Sequence, residues 1–109
     1  MEKTIVVSKD YTDKPGGRYI VEGPFSGEDF RIKMLLPKFE EAVKDDSKLV
    51  IVLDGGYGYA PSFLEEAFGG LIRETKNKRA KEIITIISDE EPKLIEDIDR
   101  YLSDAIGKL

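Results

Sequence analysis

The chain has 109 residues, and 22 acidic side chains against 17 basic ones give it a formal net charge of −5. It contains no cysteine and no histidine, which excludes disulfides, cysteine-ligated metals, histidine general bases and Ser-His-Asp catalysis. The acidic balance disfavours nucleic-acid binding, and no apolar run approaches the roughly 20 residues of a bilayer-spanning helix. We therefore expect one cytoplasmic domain over residues 1–109, with no cofactor, no metal and no membrane association.

Two short runs rich in β-branched and aromatic residues begin the chain, at 4–8 and 18–22. Each predicts a strand. The segment between them holds Pro15, Gly16 and Gly17, which are strong turn residues. These signals predict an antiparallel hairpin between strands one and two.

A first helix is predicted over 27–44 from the spacing of its apolar residues. Ser26 precedes it, and Asp29 follows three residues later, which resembles a capping box with Asp in place of Glu. Pro37 lies inside this helix and is expected to kink or divide it, because proline lacks the backbone N–H and crowds the preceding turn.

The centre of the chain reads as a buried strand, a glycine-rich turn and an amphipathic helix. Residues 49–53 form a continuous apolar run that Asp54 ends, which is typical of a strand covered on both faces or lying centrally in a sheet. Pro61 suits a first helical turn, and Ser62 with Glu65 has the spacing of a capping box. The functional question therefore narrows to the loop 55–60 and the helix start at Ser62.

A last strand over 82–88 and a third helix beginning near Pro92 complete the order β-β-α-β-α-β-α. Strands three and four, linked by a helix, are expected to run parallel. The predicted fold is thus an α/β domain with a mixed four-stranded sheet and helices packed on it.

Several readings of the central loop remain open. Its glycines suit an anion or nucleotide at a helix N-terminus, but the Gly-Lys-Ser/Thr of a P-loop is missing. Tyr57 and Tyr59 are equally suited to anchor a protein partner. Asp54 is either a turn residue or, less simply, an aspartyl-phosphate acceptor. Glu28, Asp29 and Arg31 would form a polar site beside Ser62 if both helices begin at the same sheet edge.

The order of elements resembles the STAS fold of bacterial anti-sigma-factor antagonists. The match lies in Leu-Val-Ile-Val-Leu-Asp at 49–54, followed by a short loop and Ser62 at a helix start. The stretches Pro-Phe-Ser-Gly-Glu-x-Phe-Arg at 24–31 and Ser-Phe-Leu-Glu-Glu-Ala-Phe-Gly-Gly-Leu at 62–71 are similar to a STAS-like family of unknown function. The antagonists usually have Asp-Ser followed by small residues at this place. This sequence departs from them, because Pro61 precedes Ser62 and the bulky Phe63 follows it.

The resemblance implies a non-enzymatic regulatory domain that binds a protein, such as a kinase-type ATPase of the anti-sigma kind. It implies phosphorylation of Ser62, whereas capping alone explains the same residue from its spacing. The alternative function is a sensor of a small anion or nucleotide at the same helix start. The residues expected to bind the partner or ligand are Asp54, Gly55, Gly56, Tyr57, Gly58, Tyr59, Phe63, Glu28 and Arg31.

Overall fold

The fold is built on a three-stranded parallel sheet, seen in a computed structural model that describes residues 2–109. The strands are β1 (Glu2–Val6), β2 (Lys48–Val52) and β3 (Ile84–Ile87), with β2 in the middle. Ile51 on β2 lies beside Ile5 on β1 and Ile86 on β3. The continuous apolar run of the central strand therefore has its predicted place, and the parallel pairing of β2 with β3 is confirmed.

The predicted second strand is wrong. Within residues 18–22 the chain forms a 3₁₀ turn (Ile20–Glu22) outside the sheet. The N–H groups of Arg18 and Tyr19 donate to the Glu22 carboxylate, at 2.9 and 3.0 Å, and that of Ile20 donates to Glu28 at 2.9 Å. Carboxylates thus take the donors that a hairpin partner would have taken, so the sheet has three parallel strands instead of four mixed ones.

Five helices accompany the sheet in the described part of the chain. Two short ones are α1 (Val7–Asp10) and α4 (Ala80–Ile83), and the last is α5 (Lys93–Gly107). Helix α2 covers 27–44 and α3 covers 61–75, and each contains a π-helical turn, at Arg31–Leu35 and Glu65–Gly69. Pro37 is the second residue after the first π turn, and the helix is not divided there but continues to Lys44.

Helix α3 is the centre of the helical layer. Every residue from Phe63 to Ile72 except Glu65 is buried, because α3 packs against both α2 and α5. The sheet residues that point to this layer, including Ile5, Leu49 and Ile51, are fully buried. This arrangement explains why the helix is apolar on most of its circumference.

The loops that follow the strands meet at one edge of the sheet. Parallel strands place all their carboxyl ends at the same edge, where α/β proteins usually bind their ligands. The Tyr57 N–H, after β2, donates to the Asp13 carbonyl, after β1, at 2.9 Å. This edge holds the loop 55–60 and the start of α3. No helix among residues 2–109 has the length and apolar character needed to cross a membrane.

Candidate protein-interaction site

Asp54 fastens the loop after β2 to the loop after β3. Its two carboxylate oxygens accept from the N–H groups of Asp89 and Glu90, at 3.1 and 2.9 Å. The Glu90 carboxylate in turn accepts from the Gly55 N–H at 2.8 Å. Both Asp54 oxygens are therefore bonded to backbone, which is the structural role of an aspartate at a turn.

Two glycines allow the loop 55–60 to take its path. Gly55 has φ 93° and Gly58 has φ 124°, conformations that residues with a Cβ rarely adopt. A Cβ on Gly55 would also come within 2.8 Å of the Ser8 hydroxyl. The glycines thus shape a tight loop, and the loop is held at its start by Asp54 and at Tyr57 by Asp13.

The two loop tyrosines have different roles. The Tyr57 side chain is 80% exposed, with the Lys14 ammonium 5.5 Å from its ring centre. The Tyr59 hydroxyl donates to the Leu53 carbonyl at 3.1 Å. Burial, and then the nearby carboxylates of Asp54 and Glu90, raises the pKa of Tyr59 to about 12. Tyr57 is accordingly available to a partner, whereas Tyr59 supports the loop.

Ser62 is not the cap of its helix, so the predicted capping box with Glu65 is wrong. The helix begins at Pro61, and Ala60 is the extended N-cap residue with ψ 140°. The N–H groups of Phe63 and Leu64 both donate to the Ala60 carbonyl, at 3.0 and 3.3 Å. Proline favours the first helical position, which shifts the start upstream and leaves Ser62 half-buried inside the first turn.

The other predicted cap is confirmed. Ser26 is buried at the N-cap of α2, and its hydroxyl accepts from the Asp29 N–H at 3.0 Å. The Asp29 carboxylate does not return a bond to Ser26, because it accepts from the Tyr11 hydroxyl at 2.5 Å and pairs with Lys33. The two helix starts lie side by side, since a Cβ on Gly27 would collide with the Phe63 carbonyl.

Three other predicted site residues have supporting positions. Phe63 is buried, with its ring centre 5.8 Å from those of Phe30 and Tyr59. Glu28 accepts from the Ile20 N–H. Arg31, on α2, bonds Glu66, which lies one turn beyond Ser62 on α3. The expected polar site of Glu28 and Arg31 beside Ser62 is therefore wrong, because each side chain is drawn to a different partner.

A partly buried ion-pair network lies along α3 and was not foreseen, with Arg31 and Glu66 as its most buried members. Arg31 donates to both the Glu66 carboxylate and the Glu66 backbone carbonyl, each at 2.7 Å. That carbonyl belongs to the π turn, and such turns are frequent at functional sites. Gly70 leaves the space that Arg31 fills, because a Cβ there would collide with the guanidinium. The adjacent glycines 69 and 70 in a helix interior were the available sequence signal.

Residues 26–94 match the family described as a STAS-like domain of unknown function (DUF4325). The chain belongs to this family. The match includes both helix starts, the central strand and the Arg31–Glu66 ion pair, and it confirms the resemblance to a STAS-like family. No curated protein and no solved structure matches the chain.

This STAS-like domain also exposes an apolar loop (19–25), whose residues 19–22 the sequence pattern assigned to a strand. Tyr19, Ile20 and Phe25 on this loop are exposed, and Val21 is 91% exposed. The base of the loop is closed by backbone hydrogen bonds, from Gly16 to the Phe25 carbonyl at 2.8 Å and from Gly27 to the Gly17 carbonyl at 2.9 Å. Clustered exposed apolar side chains usually mark an interaction surface.

Proposed function

We propose that this STAS-like domain is a non-enzymatic regulatory module that binds a protein partner through the loop 55–60 and the first turn of α3. The observation that carries the proposal is the 80% exposed side chain of Tyr57 on a loop held by hydrogen bonds. Aromatic residues often dominate the binding energy of interfaces. A loop already fixed in shape loses little conformational entropy when it binds.

Ser62 is proposed as the switch of this surface. Its hydroxyl does not cap α3, so a phosphate there would remove no cap. The phosphate would place about two negative charges close to the positive end of the helix dipole and beside the binding loop. By the family resemblance, the partner would be a kinase-type ATPase of the anti-sigma kind, and phosphorylation would release it.

The alternative of an anion or nucleotide sensor has less support from the geometry. The cavity beside the loop measures about 130 Å³ and is lined by the carboxylates of Asp54, Glu90 and Glu91. Negative side chains would repel a phosphate there. At the helix start, Pro61 has no N–H, and the N–H groups of Phe63 and Leu64 donate to the Ala60 carbonyl. A protein partner therefore fits this edge better than a small anion.

The test is affinity purification of the tagged protein from its native cells, with mass spectrometry of the eluate. We expect an ATPase that Tyr57→Ala no longer retains, while Val43→Ala, an exposed apolar residue at the far end of α2, still retains it. Incubation with ATP and that ATPase should add one phosphate to the wild type and none to Ser62→Ala. An ATPase that binds the Tyr57→Ala variant as tightly as the wild type would refute the proposed surface.

A further inference from the structure

The sheet has one face that no helix covers among residues 2–109. The strand order β1-β2-β3 never reverses, and right-handed crossovers that step in one direction across a sheet place their helices on one side. Helices α2 and α3 belong to these two crossovers, and α5 packs against α3. The opposite face is therefore left open, although parallel sheets are normally covered on both faces.

The burial of alternate residues along the strands identifies this open face. Successive side chains of a strand point to opposite faces of the sheet, and those of Ile5 and Ile51 point to the helices and are fully buried. Val6, Val50 and Val52 point the other way, and none of them belongs to the apolar core that joins the sheet to the helices. The open face thus consists of the even-numbered residues of β1 and β2, with Thr85 and Ile87 of β3.

The open face is β-branched and apolar over most of its length. At its carboxyl end Val52 lies between Val6 and Ile87 in the register of the strands. In the next row Val50 lies between two threonines, one on each outer strand. Side chains of this kind are stiff and pack well on a pleated surface, so the face is suited to contact with another sheet.

The amino end of the open face carries two opposite charges. Glu2 on β1 lies beside Lys48 on β2. The Lys48 ammonium donates to the carbonyl of Glu82, just before β3, so it points away from β1. A negative charge therefore stands at the β1 side of the face and a positive charge at the β3 side. The face has no net charge from this pair, although the whole chain carries −5.

We propose that the open face is the contact between two copies of this chain, packed sheet to sheet about a two-fold axis that runs along β2. Such an axis lays β1 of one copy over β3 of the other, and the same contacts occur twice. Val6 would then lie over Ile87 of the second copy, and Glu2 over its Lys48 ammonium. Sheets packed face to face keep their strands aligned in this way in β-sandwiches.

The size of the open face sets the strength of this dimer. Three strands about 4.8 Å apart, with five residues in β1 and in β2, present a surface of roughly 15 by 16 Å. Two such surfaces cover on the order of 500 Å² in plan, which is well below the roughly 1,200 Å² of the smallest stable complexes. We therefore expect a weak, reversible dimer that forms at protein concentrations of about 0.1 to 1 mM.

Sedimentation equilibrium of the purified full chain measures this dimer. Ile87→Lys would place a charge over Val6 of the second copy, and we expect it to raise the dissociation constant at least about tenfold. The folded monomer should tolerate the change, because Ile87 is already 37% exposed. The matched control is Ile95→Lys on α5, where the isoleucine is 41% exposed on the helical side. It should dimerise like the wild type.

The two charges give a second test that does not depend on Ile87. Glu2→Lys and Lys48→Glu should each weaken the dimer, because each brings like charges together across the two-fold axis. An equimolar mixture of the two variants should dimerise like the wild type, since every contact between the two different chains then joins opposite charges. Pairing within one chain could not produce this rescue.

A wild-type chain that stays monomeric at the highest concentration would overturn the proposal. A dimer that Ile87→Lys leaves intact would overturn it too, because the contact would then lie elsewhere. A mixture of the two charge variants no heavier than its components would overturn the two-fold arrangement. These measurements involve neither an ATPase nor the loop 55–60, so this inference and the proposed function can fail separately.

Discussion

The starts of α2 and α3 have nearly the same capping motif in the sequence, but only one of the two serines caps its helix. Each has a serine followed three residues later by an acid, Ser26 with Asp29 and Ser62 with Glu65. Ser26 is fully buried and caps its helix, whereas Ser62 is half-buried and does not. The comparison shows that a capping motif acts as a cap only when its serine is the residue that leaves the helical conformation.

The residue before each serine accounts for the difference. Ser26 is itself extended, with ψ 163°, so its hydroxyl can turn back to the Asp29 N–H. At the second start Pro61 occupies the first helical position and Ala60 is the extended residue. The helix thus begins two positions earlier than the capping motif predicts, and the Ser62 hydroxyl has no capping role.

The contact between the two starts gives the largest expected effect. Gly27→Ala would drive a Cβ into the Phe63 carbonyl, a backbone atom that cannot move aside. We expect a loss of about 2 to 3 kcal/mol in the free energy of unfolding, as for other overpacked sites. Urea unfolding measures it.

Gly107→Ala is the control for that substitution. Gly107 is the last residue of α5 and a Cβ there meets nothing within 4 Å. Alanine is the better helix former, so this variant should be neutral or slightly more stable. If Gly27→Ala matched it, the two helix starts would not be in the close contact described.

The serines themselves provide the next test. Ser26→Ala removes the acceptor of the Asp29 N–H and should lower the free energy of unfolding by about 1 to 2 kcal/mol. Ser62→Ala removes no cap and should stay within about 0.5 kcal/mol of the wild type. Chemical unfolding of the two variants in parallel measures both changes. Equal losses of unfolding free energy would mean that Ser62 is a cap after all.

Each helix start also has a tyrosine beside it, Tyr11 at α2 and Tyr59 at α3, and we expect both to make the stability of the fold depend on pH in the alkaline range. Burial, and then the hydrogen bond to Asp29, raises the pKa of Tyr11, and burial raises that of Tyr59 to about 12 from its usual 10. When a tyrosine has a higher pKa in the folded state than in the unfolded state, its full contribution to the free energy of unfolding is present below the unfolded-state pKa. That contribution is lost as the pH rises through the folded-state pKa.

The variant Tyr59→Phe isolates the part of this pH dependence that comes from the tyrosine at the start of α3. The difference in unfolding free energy between wild type and Tyr59→Phe should be constant below pH 10 and should fall between pH 10 and about 12. Thermal unfolding over this range measures it, with Tyr57→Phe as control because that side chain is exposed. A difference independent of pH would show that Tyr59 is not held neutral by its site.

Glu65 gives the smallest effect, at low pH. Hydrogen bonds from Arg73, and then from Arg18, lower the pKa of Glu65 below its usual 4.5. When a carboxyl group has a lower pKa in the folded state than in the unfolded state, it stabilises the fold at pH values above the unfolded-state pKa. This contribution is lost as the pH falls through the folded-state pKa. The advantage of wild type over Glu65→Gln, less than about 1 kcal/mol for a partly exposed pair, should therefore shrink below pH 4.5.

The matched control is Glu82→Gln, which removes an exposed ion pair with Arg79 on α4. Its stability relative to wild type should change little over the same pH range. If Glu65→Gln behaved in the same way, the carboxylate would not be held by the two arginines, and the predicted capping role would have to be reconsidered.

The sequence was misleading at residues 18–22 for an identifiable reason. Arg-Tyr-Ile-Val-Glu has the composition of a strand, and composition carries no information about where the backbone donors go. In the fold, Glu22 and Glu28 accept them. The side chains that would have faced a neighbouring strand are exposed instead, and they form the apolar loop (19–25).

The sequence predicted the loop 55–60 as a loop, but not which of its side chains are exposed and which support it. Glycines and the strand before it marked its place, whereas the division of roles between Tyr57 and Tyr59 depends on the Leu53 carbonyl and on Asp13. Likewise, Asp54 bonds residues that follow β3. Asp13 and the residues after β3 lie far from these partners in the sequence, so local patterns cannot identify them.

The sequence by itself determined the three strands that form the sheet, the three long helices and the buried serine cap at Ser26. Those features follow from local periodicity and turn chemistry, which act over a few residues. Only the tertiary structure decided the strand count, the first residue of α3 and the ion pairs of Arg18 and Arg31 with α3. These pairs join residues 47 and 35 positions apart, and their geometry exists only once α2 and the loop that carries Arg18 have packed against α3.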